Sequence, residues 1–337
     1  MLTYEDEDDL LEDIREGVSI ALERTGLASE GYVDDIKLNK LAYFAIQEYD
    51  LEITYGWFKY GPAPYFPDGT SGRGYSTVSP QSPDGIRASA SSRVPTVDDR
   101  YLSPVEYSYF YTDDIPDEFR RVVTTDTKEY LVLFYDDHAP PTYRDLYKEC
   151  ARLQQTLDRI EENDEWLNDA TTVYDELEAG LQATFAEMLR VDQVSESVSA
   201  FNDYKRLLKD VVITARKQGE ISPEKQQFLE KLIAFFYGTT WEYTANLISR
   251  DTVIGANSQD LAESIEEDLQ GLRGRHGREL NSLRERASAF DLLPQAVEMQ
   301  DDLVEQEETL PPHQRSTEEI DAWSRLGAEV IRDDESE

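Results

Sequence analysis

YVDDIKLNKLAYFAIQEYDLEITYGWFKYGPAP, residues 32–64, reads as a helix that turns sharply into an aromatic strand and stops at a rigid Tyr-Gly-Pro corner. Over residues 35–50 the apolar groups Ile36, Leu38, Leu41, Ala42, Phe44, Ala45, Ile46 and Tyr49 recur largely at three- and four-residue steps. That is the pattern of a helix with a broad buried face. Asp34 or Asp35 is placed to cap its first free N–H groups. Past Asp50 the period shortens to two. Leu51, Ile53, Tyr55 and Trp57 share one side of an extended segment, with Glu52, Thr54 and Gly56 on the other. Phe58 and Tyr60 interrupt the alternation, so a strand buried on both sides near its end is an equal expectation. Gly61-Pro62 closes the segment, and Pro64 blocks ordinary continuation.

The residues of this stretch carry a family resemblance. Lys37-Leu38-Asn39-Lys40-Leu41-Ala42-Tyr43-Phe44, followed by Trp57-Phe58-Lys59-Tyr60-Gly61-Pro62, resembles the Panacea domain, an antitoxin-like domain of prophage-associated proteins. Leu38, Lys40, Leu41, Tyr43 and Phe44 match its K-L-x-K-L-x-Y-F helix. Trp57, Lys59, Tyr60, Gly61 and Pro62 match its W-x-Y-G-P corner, with variation between the Trp and the Tyr. The resemblance covers residues 8–65; beyond it a long polar loop replaces the family's prompt return to helix. It implies a mostly helical domain that works by protein contact, often holding an unrelated toxin inactive.

Composition bounds the remainder. The 337 residues suffice for a substantial core and two domains. The formal net charge is -38, from 71 acidic and 33 basic residues, and only 10 of the basic residues are Lys. Such a field repels nucleic acid and anionic membranes unless basic groups concentrate locally. A diffuse acidic surface poor in Lys resembles the cytoplasmic proteins of high-salt cells, haloarchaea above all. Cys150 stands alone, which excludes an internal disulfide or a cysteine metal cage; on an apolar helical spacing it reads as a small buried hydrophobe. The acidic start lacks a signal peptide pattern, and no apolar run is long enough to cross a membrane, so a cytoplasmic location is expected.

Along the chain, residues 4–24 carry Leu10, Leu11, Ile14, Val18, Ile20, Ala21 and Leu22, an amphipathic helix expected to end near Gly26 and to lie against the helix of residues 35–50. Residues 64–99 are rich in Gly, Ser and Pro. Gly69-Thr70-Ser71-Gly72-Arg73-Gly74 lacks the Gly-Lys-Ser/Thr ending of a phosphate loop and reads as plain loop. Residues 105–111 alternate Val105, Tyr107 and Tyr109 with polar groups, and residues 129–135 hold the apolar run Leu131-Val132-Leu133-Phe134. Both are strand candidates, with an aromatic helix the alternative for the first. Asp136-Asp137-His138 then supplies two carboxylates and an imidazole, the residue types of a metal or acid–base site, beside the turn signal Pro140-Pro141.

From residue 143 the texture becomes that of long helices. Leu146, Cys150, Leu153, Leu157, Ile160 and Leu167 step by three and four, with Asp164 at the missing position, the spacing of a coiled-coil seam or bundle helix. Breaks are expected near Gly180 or at residues 191–199. Ser222-Pro223 marks a fresh start, and the apolar run from Phe228 to Leu247 suits a central helix. Ser258 opens a last long helix in which His276 occupies the apolar stripe. Arg273, Arg275, Arg278 and Arg284 form the single strongly basic cluster, with Glu267, Glu279 and Glu285 nearby to neutralise it.

The expected architecture is mainly α: a small mixed α/β N-terminal unit (1–140), a long-helix bundle or coiled-coil hairpin (141–305) and an acidic tail (306–337). The favoured function is protein recognition without a cofactor, the partner being a toxin or another defence or mobile-element protein by the resemblance. Tyr43, Tyr55, Trp57, Lys59, Tyr60 and Tyr65 are the candidate contact residues, and the long helices offer a homodimer interface. The alternatives are a DNA-associated regulator using the arginines near His276, and, third, a metal-dependent hydrolase using the Asp136-Asp137-His138 turn.

Overall fold

A capping box opens the first helix, α1 (Tyr4–Thr25). Thr3 Oγ1 accepts from Asp6 N, and the Asp6 carboxylate accepts from Thr3 N at 2.8 Å, satisfying two of the N–H groups a helix start leaves over. Leu10, Leu11, Ile14, Val18 and Ala21 form its buried stripe, and Gly26 ends it. The computed structural model describes residues 2–29, 31–65, 101–162, 167, 172–219 and 221–294. The expectations for Gly69–Gly74, the rest of the loop past Tyr65, Asp164 and the tail at 306–337 lie outside the described residues.

Helix α2 (Asp35–Glu48) is capped by Asp34, which accepts from Lys37 N at 2.8 Å. Asp50, at φ +47°, turns the chain out of the helix. A two-stranded antiparallel hairpin follows, β1 (Tyr55–Phe58) and β2 (Gly61–Pro64), pairing Tyr55 with Pro64 and Trp57 with Pro62. The strand is shorter than the alternation from Leu51 predicts, since Thr54 N donates to the Glu7 carboxylate and Glu52 O accepts from Ala256 N. Tyr55 N and Ile254 N each donate to the other's carbonyl at 3.0 Å. Pro62 and Pro64 lack N–H groups, so β2 offers little to a further strand.

Residues 105–111 are helical, not extended: α3 (Pro104–Tyr109) runs into a π-helical turn, Phe110–Asp114. Ser103 and Glu106 make a capping box with Pro104 in the first turn, a helix start that outweighs the alternation. Tyr107, Phe110 and Tyr111 are the buried set, at helical spacing, while Val105 and Tyr109 remain exposed. After α4 (Pro116–Thr124), residues 129–135 also prove helical, within α5 (Thr127–His138). Asp126 accepts from Lys128 N and Glu129 N, and Tyr130, Leu131, Phe134 and Tyr135 face inward with Leu133 outward. A short apolar run is ambiguous between strand and buried helix, and the cap decides it here.

The helix-rich region comprises α6 (Arg144–Glu162), α7 (Thr172–Arg190), α8 (Ser195–Gln218), α9 (Pro223–Phe235), α10 (Trp241–Thr252) and α11 (Ser258–Ala289). Helix α7 continues through Gly180, and the break falls at Val191 and the tight turn Asp192–Val194. Ser222 caps α9 with Pro223 in its first turn, as its sequence predicts. A second π-helical turn, Phe236–Thr240, joins α9 to α10. The fold is thus mainly helical, with a small two-stranded sheet near the N-terminus and a long helix-rich region after it.

Among the described residues, buried side chains from both sides of position 140 belong to one hydrophobic core. A polar joint and a close backbone approach tie its parts together. The buried Glu7 carboxylate accepts from Thr54 N (2.9 Å), Thr54 Oγ1 (2.9 Å) and Asn257 Nδ2 (2.7 Å), tying α1 to the chain before β1 and to the start of α11. Gly255, at φ +110°, lets the α10–α11 turn lie directly on that chain; a Cβ there would overlap Thr54 Cα and come 2.6 Å from Ile53 O. Cys150 is buried, and burial pushes its thiol well up. His276 is also a core residue. Its Nε2 lies 3.2 Å from Thr240 Oγ1 and its ring 5.1 Å from that of Phe235, and desolvation lowers its pKa.

Candidate functional site

The hairpin corner is held by its backbone carbonyls. Phe58 O accepts from Tyr147 Oη at 2.6 Å, and Lys59 O accepts from both Tyr237 Oη and Trp241 Nε1 at 2.9 Å. Pro62 O accepts from Lys40 Nζ at 3.3 Å. Donors thus arrive from α6, from the second π-helical turn, from α10 and from α2. Tyr237 and Trp241 stand four residues apart, on one helical face, and both reach the same carbonyl. Gly61, at φ +87°, completes the corner. A Cβ there would stand 3.1 Å from the Tyr135 ring and 3.2 Å from Lys40 Nζ, so the glycine answers both a backbone and a space requirement.

Beneath the corner sits Lys40, with no exposed surface. Burial lowers its pKa to about 7, partly opposed by the Asp34 charge. Its ammonium also lies 5.2 Å from the centre of the Phe134 ring, a cation–π distance. Lys37 is buried one helical turn earlier, donating to Tyr32 O (3.0 Å) and Val123 O (3.3 Å). The paired lysines of the K-L-x-K-L segment therefore satisfy backbone carbonyls inside the protein, at Tyr32, at Val123 in the last turn of α4 and at Pro62 in β2.

Of the expected contact residues, Tyr55, Trp57 and Tyr65 are buried and present no contact surface. Trp57 stacks on Phe134 at 6.0 Å and meets Tyr147 edge-on at 5.6 Å. Tyr55 Oη accepts from Gln47 Nε2 at 2.8 Å, and Tyr65 lies edge-on to Tyr4 at 6.0 Å. These rings became core because α2 packs on Tyr55, α2, α5 and α6 meet at Trp57, and α1 covers Tyr65. Tyr43 is half-buried, in edge contact with Tyr55, Trp57 and Phe134.

Lys59 and Tyr60, at the tip, are the half-buried pair that keeps an outward aspect. Tyr60 packs on Tyr237 at 5.0 Å, and burial, with the charges of Asp158, Asp34 and Glu242, pushes its hydroxyl up to about 12. Lys59 Nζ stands 3.8 Å from Glu242, whose other neighbour is Arg275 at 3.5 Å. Burial lowers the Lys59 pKa while Glu242 raises it. A rigid turn offering one phenol and one half-desolvated cation suits hydrogen bonding and aromatic contact with a surface.

The other sites are differently disposed. Asp136 and Asp137 lie in the last turn of α5, not at a strand end, and pair with Lys148 (2.5 Å) and Arg121 (3.0 Å) respectively. The His138 ring instead packs on Phe44 and Phe134, 5.0 Å from each, and burial lowers its pKa. The structure therefore does not bring the three together as one chelating set. On α11, Arg273 pairs with Glu196 and Arg275 with Glu242, while Arg278 and Arg284 are exposed. Among the described residues no cluster of His, Cys, Asp and Glu is placed to hold a metal ion, and no helix is long and apolar enough to cross a membrane.

Tyr147, Tyr237 and Trp241 hold the corner without having been singled out by the sequence. Their one signal is Gly238-Thr239-Thr240, which interrupts the apolar period where the π-helical turn forms. No curated protein and no solved structure matches the chain. Residues 1–314 match the family described as Domain of unknown function (DUF8098), and the chain belongs to that family.

Proposed function

We propose that the protein is a recognition module that binds another protein through the tip of its hairpin, with Tyr60 and Lys59 as the contact side chains. The observation carrying this reading is the corner's four-donor clamp. A turn whose three carbonyls are fixed by Lys40, Tyr147, Tyr237 and Trp241 loses little freedom on binding, which is how a small epitope gains affinity. The resemblance of the K-L-x-K-L-x-Y-F and Y-G-P residues to the Panacea domain supports a toxin, or another defence or mobile-element protein, as the partner. The acidic composition supports a cytoplasmic setting at high salt. Pairing of Asp136, Asp137, Arg273 and Arg275 within the chain weighs against the hydrolase and DNA readings.

The test is capture with tagged protein from its native host in molar salt, followed by mass identification. A stoichiometric protein retained by the native chain and lost with Tyr60→Ala, whose circular dichroism should match the native chain, is the expected result. Retention of the same protein by Tyr60→Ala and Lys59→Ala alike, or recovery of nucleic acid in its place, would overturn the proposal.

A further inference from the structure

Against the net charge of -38, two stretches stand out. Residues 201–218 on α8 and 271–287 on α11 together hold ten of the 33 basic residues and four of the 71 acidic ones. The two helices run side by side in the same direction. Asp203 acts on His276, Arg284 on Asp210, and Gln218 Nε2 donates to Asp291 O at 2.7 Å, a constant offset along both.

Most of these cations are spoken for. On the α7 side, Lys205 lies over the Phe185 ring at 3.9 Å, Lys209 pairs with Glu178, and Arg216 lies over Tyr174 at 5.6 Å. Arg206 on α8 and Arg284 on α11 are different. Both are exposed, neither makes an ion pair with another described residue, and both act on the half-buried Asp210 between them. Burial raises the Asp210 pKa while Lys209, Arg284 and Arg206 lower it. One recessed carboxylate cannot engage all the donors of two guanidinium groups, each of which carries five N–H bonds in a fixed fork. The remaining donors face solvent on the seam.

We infer that the α8–α11 seam at Arg206 and Arg284 binds a short acidic segment of a protein partner, whose carboxylates take the outward donors of the two arginines. The inference rests on the recognition reading and adds the chemistry of the partner. Length decides between polyanions. Duplex DNA carries a charge about every 1.7 Å and continues past the seam onto an acidic surface, whereas an acidic peptide ends where the arginines end.

Fluorescence anisotropy of a labelled decaglutamate peptide, titrated with the full chain in about 0.3 M KCl to screen weak surface attraction, tests this. Saturable binding is expected, weakened about tenfold or more by R206E/R284E and unchanged by R15E/R152E, which removes equal charge from two exposed pairs elsewhere. R206K/R284K, keeping charge without the fork, should fall between. Absence of saturable binding, equal affinity for R206E/R284E, or tighter binding of a short DNA duplex than of the peptide would overturn the inference. Should R206E/R284E still capture the native-host partner that Tyr60→Ala loses, the seam fails while the recognition module stands.

Discussion

The hairpin corner and the α8–α11 seam handle polar groups in opposite ways. At the corner, the carbonyls of Phe58, Lys59 and Pro62 lie in a part-buried aromatic setting, and each has a protein donor. A buried carbonyl without one would cost about 1–3 kcal/mol. At the seam, Arg206 and Arg284 stand in water, where an unpaired charge costs little. One region is therefore fixed by geometry and desolvation, the other tuned by charge and salt. Substitutions should separate them in size and in salt dependence.

The largest effect is expected where geometry is tightest. Gly255→Ala combines a positive φ with overlap of Thr54 Cα, so denaturant unfolding should show a loss of about 4 kcal/mol, little changed by salt. A near-neutral result would mean that the turn moves freely against the hairpin. Next comes Lys40→Met. The Lys40 pKa is about 7 in the folded chain against 10.5 ordinarily, so between those values the unfolded chain holds the proton that the folded chain has released. Stability therefore rises as pH climbs from about 7 to about 10.5, and the penalty is fully present below about 7. Lys40→Met should flatten that rise and add about 3 kcal/mol at pH 6, after loss of the bond to Pro62 O. A slope unchanged by the substitution would show that Lys40 is not the group responsible.

The smallest effect is expected on the charged side. Glu196 bridges Arg250 (3.1 Å) and Arg273 across α8, α10 and α11, all three side chains being well exposed. Glu196→Ala should lower the melting temperature measurably in dilute buffer and not at all in molar salt, where exposed pairs are screened. A drop that persists in molar salt would place this network with the corner, not with the surface.

Legibility divided along the same line. The starts of α2 and α9 were readable because Asp34 and Ser222 act within three residues of themselves, and the apolar stripes of α1, α6 and α11 repeat within one or two turns. The alternation of Val105, Tyr107 and Tyr109 misled because it is equally compatible with a helix whose buried set is Tyr107, Phe110 and Tyr111. The apolar run at 131–134 misled in the same way. For the site, the Lys59–Pro62 corner was visible as a turn. That Tyr55, Trp57 and Tyr65 line its interior while Tyr60 keeps an outward aspect was not.

The sequence by itself determined the mainly helical class, the sharp turn after α2, the Gly-Pro corner, the burial of Cys150 and His276 and the acidic surface. All of these follow from residue type and spacing within a few positions. Only the tertiary structure decided which aromatic rings became core and which carbonyls became clamped. The bonds to Phe58 and Lys59 join residues 89 to 182 positions apart, and the donor Tyr147, Tyr237 or Trp241 carries no local mark of its acceptor. Such pairs form because folding removes both groups from water at one place, and burying either one alone would cost more than the bond returns.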